Sequence, residues 1–544
     1  MGQLRRGLLP RPERKGVKEL AVGMRVLFVA SEMAGFVKAG GLGDVAASLP
    51  RALCRRGLDV RVLIPAYPAM LASSSAIRIV GHLPGRAAIP PCQIGQLRTA
   101  DGLRVYVVIA PDLYQRNGSP YCRPDGTDWP DSDLRFGRLS LAAAQIACGA
   151  DIGWRPDVLH ANDWPAGLAP AYLRWDGALV PSVLTLHNIA HQGVFSATRR
   201  HALGIPDHAF SINGVEFHGQ IAFLKAGLFY ASHICAVSPT YAHEITTERL
   251  GGGLHGLTQG LAKRGQLSGI LNGLDDSWDP TQDPHLPTHF DVDNLRGKAT
   301  VADIVRTSLC LAPSQGPLFG MVSRLVPQKG LDIVAQAAND IVCGGGQIAI
   351  LGLGEPATEQ ILNKVARRHR DHVCVMVGFN EAMARRVVGG CDFCLMPSRF
   401  EPCGLTQMQA LRYGSLPIAH ATGGLVDTIE DGTTGFLFPD FSTKSLLSAC
   451  RRAFEVFSDQ ARLTEMRQAA MASRFGWEAP AAAYECLYSR LTGRLIPPRS
   501  PPAAETTGSV DAEATEIAGR QDQSLLAVQP GLAPASRHAL RWTH

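Results

Sequence analysis

The run VKAGGLGDV (37–45) follows directly on a short apolar stretch, RVLFVA (25–30). A basic side chain, two glycines and a helix start are what a loop needs to hold a diphosphate. Gly40 and Gly41 let the backbone approach an anion, and the first N–H groups and the dipole of the next helix favour negative charge there. Lys38 adds a full positive charge. A second anion-suited cluster stands far downstream. In GMVSRLVPQKGLD (320–332), Arg324 and Lys329 follow an apolar run. In SRFEPCGLTQMQALRYG (398–414), Glu401 lies in a turn and Gly404-Leu405-Thr406 opens a helix. The shape is again strand, glycine turn, helix N-terminus. Taken singly, each cation reads as well as a solvated surface charge. Together, Lys38, Arg324 and Lys329 repel one another unless a polyanion lies between them.

The elements that must position these residues repeat strand, loop, helix, strand in two halves. In the first half RVLFVA leads through the glycine loop into a helix that runs to Arg56 and ends at Gly57. Pro50 is expected to kink or split that helix. DVRVLIP (59–65), DVLH (157–160), SVLTLH (182–187) and HICAVS (233–238) read as further strands. The second half repeats the plan with PLFGMVS, QIAILGLG, HVCVMVGF, DFCLMP, LPIAHA and GFLF. Such alternation predicts an α/β protein with parallel sheets and helices on both faces. Two doubly wound halves place ligands at the carboxyl ends of their strands, where all these motif residues lie. The hinge is expected near 269–279.

Bulk properties exclude other classes. A chain of 544 residues is too long for one core. Hydrophobic content of 46% with 19% charged residues is ordinary for a globular protein. A net charge of +5, without a lysine-rich block, makes no case for nucleic acid, and no apolar run reaches the length of a membrane span. Thirteen scattered cysteines, an odd count, suggest reduced thiols rather than a disulfide framework. Cys391 and Cys394 spell C-x-x-C without a second pair, and the segment reads as a buried strand. His187 and His191 have zinc-site spacing but no third ligand, so no metal is expected. Gly352-Leu-Gly354 lacks the rest of a dinucleotide fingerprint. The basic start, residues 1–23, has no apolar h-region and is not a signal peptide. From 496 to 544 the chain is rich in Pro, Ala, Ser and Thr. Both ends are expected to be disordered, and Met24 is a second candidate start.

Eight stretches carry a family resemblance: VLFVASEMAGFVKAGGLGDV, HANDW (160–164), LTLHNIAHQG (184–193), FHGQIAFLKAGLFYASHICAVSPTYAHEI (217–245), ILNGLDDSWDP (270–280), SRLVPQKGLD, SRFEPCGLTQMQALRYGSLPI and TGGLVDT (422–428). In these the chain resembles the bacterial glycogen synthases and plastid starch synthases, from about Met24 to Leu491. The resemblance implies a GT-B fold, two Rossmann-like doubly wound domains facing a deep cleft. It divides the chain into 24–268, 269–476 and a helix at 477–495 that returns to the first domain. It implies transfer of glucose from ADP-glucose to the non-reducing 4-hydroxyl of an α-1,4-glucan such as glycogen, with retention, in the cytoplasm and without a cofactor.

The implied roles follow residue by residue. Arg324 and Lys329 stabilise the departing diphosphate, where charge grows in the transition state, and no metal is then needed. Lys38, Gly40 and Gly41 hold the donor from the first domain. Glu401 accepts hydrogen bonds from glucose hydroxyls, and His187 lies under the sugar. Gly404, Leu405 and Thr406 offer N–H groups to the distal phosphate. Asp44, Asp163 and Asn272 contact sugar or acceptor. Cys403 lies beside the site as a contact residue with a sensitive thiol, not as a nucleophile. Glu401 has no evident second carboxylate of the kind that two-carboxylate glycoside hydrolysis uses. Asn162 stands where the family often has histidine, and Ala419-His420-Ala421 where it often has basic residues. The competing readings are an inactive glucan-binding protein and another GT-B enzyme such as a glucan phosphorylase.

Overall fold

The computed structural model describes residues 23–73, 77–378 and 380–494. The expectation of disorder at the two ends concerns residues that lie outside this range.

The first sheet has nine strands. In chain order they are β1 (Arg25–Val29), β2 (Asp59–Pro65), β3 (Arg78–Leu83), β4 (Cys92–Arg98), β5 (Arg104–Ile109), β6 (Val158–Asn162) and β7 (Ser182–Leu186). Next come β8 (Val194–Ser196), β9 (Glu216–Phe217) and β10 (Gln220–Ala222), which form a small antiparallel sheet of their own. The last two strands of the large sheet are β11 (His233–Ala236) and β12 (Leu267–Gly269). The spatial order is β12-β11-β7-β6-β1-β2-β5-β4-β3. Every neighbour pair from β12 to β5 is parallel. The β3–β4 and β4–β5 pairs are antiparallel, so the expectation of a parallel sheet fails at this edge. The short 99–103 connection explains it. A hairpin turn with Gly102 at φ +89° joins neighbours antiparallel, whereas a parallel crossover needs a dozen residues or more.

The second sheet contains β13 (Leu318–Val322), β14 (Gln347–Gly352), β15 (Val373–Val377), β16 (Phe393–Met396), β17 (Leu416–His420) and β18 (Phe436–Phe438). Its order is β15-β14-β13-β16-β17-β18, all parallel. The parallel part of each sheet has one switch point, between β1 and β6 in the first and between β13 and β16 in the second. A crevice opens at the carboxyl ends of strands at such a switch point. The loops that leave β1, β6, β13 and β16 carry most of the predicted site, and His187 and Asn272 follow β7 and β12. The protein thus has the expected fold class, two doubly wound α/β domains across a cleft.

The helix Gly41–Arg55 is not split at Pro50. Pro50 gives up one backbone bond, but its ring is buried on the face that packs on the sheet. The helix Glu478–Thr492 lies on this same face, where Trp477, Tyr484 and Tyr488 join Phe28, Val62 and Leu49 in one apolar cluster. Buried His160 ties it down, with Nδ1 2.6 Å from the Tyr488 hydroxyl and Nε2 2.7 Å from Thr185 Oγ1. Among the described residues no helix is long and apolar enough to cross a membrane.

Candidate active site

A cleft of about 900 Å³ lies between the two domains, and every residue nominated from the sequence lines it. The first domain contributes Lys38, Gly40, Gly41, Asp44, Asp163 and His187, the segment just after β12 contributes Asn272, and the second domain contributes Arg324, Lys329, Glu401, Cys403, Gly404, Leu405 and Thr406.

The cations are not arranged as the repulsion argument supposed. Lys38 Nζ lies 2.8 Å from Asp44 Oδ1, and Lys329 Nζ lies 2.5 Å from Glu401 Oε2. Two of the three charges are therefore balanced within their own domains. Arg324 is exposed in the cleft, and its guanidinium has no ion-pair partner among the described residues. Glu401 is 6% exposed and also accepts from Ser398 Oγ at 2.8 Å. His420, in the segment that departs from the family pattern, buttresses this turn, with Nδ1 2.7 Å from the Ser398 carbonyl oxygen.

The glycine loop after β1 also differs from expectation. The Ala39 and Gly40 N–H groups both donate to Glu32 Oε2, the latter at 3.0 Å. They point down into the first domain, not out at an anion. Tyr121 donates to Glu32 Oε1 at 3.2 Å. Burial raises the Glu32 carboxyl to about 7, against the opposing pull of those donors. Gly41 is not required by packing, since a Cβ there would stand 3.9 Å from Leu405 Cδ1 of the other domain, an ordinary contact distance. Glu32, Tyr121 and Trp164 line the cleft and were missed in the sequence. Glu32 and Trp164 sit inside quoted motifs, yet nothing in their types or spacing separated them from structural residues.

In the second domain the polarity is opposite. Gly404, at φ +72°, turns the chain into the helix Thr406–Arg412. Gln407 Nε2 donates to the carbonyls of Cys403 at 3.0 Å and Gly404 at 2.9 Å. The carbonyls are thereby occupied, and Gly404, Leu405 and Thr406 line the cleft. Cys403 is buried, and desolvation pushes its thiol up to about 12. A thiol so rarely ionised is unreactive, so the expected sensitive thiol is corrected to a packing contact. The glycines of TGGL serve packing too. A Cβ on Gly423 (φ +47°) would stand 1.9 Å from the Glu401 carbonyl oxygen, and one on Gly424 2.1 Å from that of Cys403.

The floor of the cleft is a buried polar network. Asp163 has a left-handed φ of 56°, unusual for a non-glycine residue, and its N–H donates to Thr185 O at 2.8 Å. Burial raises its carboxyl to about 7, with the Glu32 charge adding to the shift; N–H groups of Asn188, His187 and Trp164 oppose it. Desolvation lowers His187 to about 4, so its ring is neutral at neutral pH. His187 Nε2 lies 3.1 Å from Asn162 Oδ1, and Asn162 Nδ2 donates to Val29 O at 3.0 Å. Because Asn162 is a fixed acceptor there, Nε2 carries the proton. The asparagine that departs from the family pattern is thus what orients His187.

Cross-domain bonds hold the cleft in register. Ser238 Oγ donates to Pro402 O at 2.6 Å, and Thr240 donates through N and Oγ1 to Asp427 at 3.0 and 2.7 Å. Thr422 Oγ1 and Gly423 N donate to Glu244 Oε1 at 2.8 and 2.9 Å.

This arrangement has known counterparts. Residues 25–260 match the starch synthase catalytic domain family, and residues 316–455 match the glycosyl transferases group 1 family. A glycogen synthase of Pseudomonas fluorescens is 52% identical over 488 residues, covering 90% of this chain and 92% of the relative. The chain belongs to the glycogen and starch synthase family. Glycogen synthase 1 of Bradyrhizobium diazoefficiens is 51% identical, over 84% of this chain and 99% of that protein. The catalytic domain of starch synthase IV from Arabidopsis thaliana, solved bound to ADP and acarbose, superposes with a TM-score of 0.77 at 30% identity, covering 87% of this chain and all of that one. A sucrose-phosphate synthase from Thermosynechococcus elongatus, at 17% identity and a TM-score of 0.54, shares the fold. Family members of this kind are hexosyltransferases, and this chain is one of them.

Proposed function

We propose that the cleft transfers glucose from ADP-glucose to the non-reducing 4-hydroxyl of an α-1,4-glucan, with retention, as a glycogen synthase. The observation that carries the reading is the convergence of Lys38 from one domain with Arg324 and Lys329 from the other on one cleft. A nucleoside diphosphate supplies the negative charge that the unpaired Arg324 lacks. As the glycosyl–phosphate bond breaks, charge on the leaving oxygens grows. Cations already in place then stabilise the transition state more than the ground state.

In this reading Arg324 and Lys329 hold the diphosphate. The N–H groups of Gly404, Leu405 and Thr406 meet the distal phosphate, whose charge the helix start favours. Glu401 turns from Lys329 toward glucose hydroxyls and the electron-poor ring. Lys38 exchanges Asp44 for the donor, and Asp44 becomes free for a hydroxyl. Neutral His187, fixed by Asn162, lies under the sugar. Asp163 and Asn272, whose buried Oδ1 atoms have no hydrogen-bond partner among the described residues, are acceptors for sugar hydroxyls. The functional division is 24–268 for the acceptor side, 269–476 for the nucleotide sugar, and 477–495 as a brace on the first domain. Glycogen and ADP-glucose are the partners, and the cytoplasm is the compartment.

Glucose incorporation into glycogen, compared for ADP-glucose and UDP-glucose in wild type and Lys38→Ala, tests the reading. Transfer from ADP-glucose that falls in the variant is expected. Transfer from UDP-glucose alone overturns the donor, and glycogen binding without transfer from either donor overturns the enzyme.

A further inference from the structure

A second polar groove, of about 1330 Å³, lies on the far edge of the first domain and shares no lining residue with the cleft. Five arginines line it, Arg51, Arg61, Arg78, Arg98 and Arg104, against one lining carboxylate, Asp101. Strand register makes the crowding deliberate. Arg61 of β2 is paired directly with Arg104 of β5, and Arg104 with Arg98 of β4, so three guanidinium groups stand in one row on one face. Arg78 of β3 continues the patch beside Gln96, to which its Nη2 donates at 2.9 Å.

Like charges directly opposite one another weaken a sheet. The row is only partly neutralised. Asp59 serves both Arg61, at 3.2 Å, and Arg104, at 3.3 Å, while Asp101 takes Arg51 at 2.5 Å. Arg98 is exposed and has no ion pair among the described residues. Arg61 is also held rigid, its guanidinium 4.4 Å from the Trp154 ring centroid. Pre-oriented guanidinium forks match phosphate oxygens in pairs. Neighbouring strands lie about 4.8 Å apart, so the three-strand row spans roughly 10 Å, the reach of two phosphates on one small carbon frame.

We propose that this arginine groove binds a small molecule bearing two or more phosphate groups, separately from the transfer site. The shared chemistry is clustered phosphate oxygens, from a phosphorylated sugar or from inorganic polyphosphate. The inference stands on the sheet register and does not depend on the assignment of the cleft.

The test is calorimetric titration of the full chain with fructose 1,6-bisphosphate and, separately, with tripolyphosphate. Wild type, Arg98→Glu, Arg98→Gln and Lys38→Ala are compared, with thermal melts to establish folding. Binding to wild type and Lys38→Ala alike, weakened about tenfold or more by Arg98→Glu and less by Arg98→Gln, is expected, as for loss of one charge-assisted contact. Preference for the bisphosphate identifies a sugar phosphate as the source, and preference for tripolyphosphate identifies polyphosphate. Absence of binding of either at millimolar concentration overturns the proposal. So does binding that Lys38→Ala abolishes and Arg98→Glu leaves intact, since the anion then sits in the cleft.

Discussion

The two halves of the cleft share a sequence pattern of strand, glycine turn and helix start, yet the structure gives them opposite electrical polarity. In the first domain a buried carboxylate, Glu32, takes the loop N–H groups of Ala39 and Gly40, and Lys38 alone faces outward as a charge. In the second domain a buried amide, Gln407, takes the carbonyls of Cys403 and Gly404, at a turn whose Gly404, Leu405 and Thr406 line the cleft. A glycine turn before a helix therefore does not by itself make an anion site. Which backbone groups are available depends on the side chain packed beneath the turn. On the proposed reading the second-domain turn receives phosphate, whereas the first-domain loop presents one lysine.

The largest effect is expected from the second-domain ion pair. Lys329→Ala leaves Glu401 buried without its cation and removes a contact to the leaving group. Loss of one such transition-state contact costs on the order of a hundredfold in kcat, and initial-rate kinetics with ADP-glucose check it. A loss confined to KM would mean that Lys329 serves binding alone.

Gly423→Ala tests whether the second-domain turn depends on backbone contact. The added Cβ would meet the Glu401 carbonyl at 1.9 Å, and the residue has φ +47°. Reduced kcat together with a lowered melting temperature is the expected outcome, and a variant with wild-type rates would break the proposed link between TGGL and Glu401.

Gln407→Ala addresses the polarity directly. It strands two carbonyls at the turn, and an unsatisfied buried polar group costs about 1–3 kcal/mol. Denaturant unfolding should register that loss, and donor KM should rise. Gln407→Glu should raise KM further, because a carboxylate repels both the carbonyls and the phosphate.

The first-domain loop should answer to pH. Glu32 and Asp163 are each raised to about 7, chiefly by burial, with the Asp44 charge adding to the first and the Glu32 charge to the second. With a raised pKa the carboxyl is protonated below pH 7, so the loop N–H groups lose a charged acceptor there. Activity should fall as pH drops through about 7, with the limb belonging to the coupled pair. Glu32→Gln removes one charge, lets Asp163 ionise more easily, and should move that limb to lower pH in a kcat/KM profile. An unmoved limb would show that the pair does not control the loop. The smallest effect belongs to Lys38→Ala, since that side chain is half exposed. A rise in donor KM larger than the fall in kcat is expected, and a kcat loss matching that of Lys329→Ala would erase the contrast between the halves.

Much of this was legible in the chain. The strands of both switch points, the glycine-turn residues and the charges beside them follow from short apolar runs bounded by turn formers, and the remaining nominated site residues from the resemblance to glycogen and starch synthases. What escaped was non-local. The antiparallel edge of β3, β4 and β5 has no helix signal to mark a crossover, and its hairpin is visible only once the strands pair. Cys403 read as a sensitive thiol because only burial makes it inert. The ion pairs Lys38–Asp44 and Lys329–Glu401 join residues whose neighbourhood is set by loop shape and by packing.

Sequence by itself thus determined the fold class and, through local apolar patterning and glycine turns, nominated Lys38, Arg324, Lys329, Glu401 and the Gly404-Leu405-Thr406 turn; the resemblance to glycogen and starch synthases supplied other cleft residues such as His187 and Cys403. Tertiary structure decided what those residues are free to do. Burial raised Glu32 and Asp163 and silenced Cys403. Asn162 oriented His187, and Gln407 chose which face of a turn stays open. Strand register lined up arginines that lie 6 to 43 positions apart in the chain. Each of these is a property of neighbours brought together across long sequence separation, where desolvation and hydrogen-bond partners, not residue type, set the charge and direction of a group.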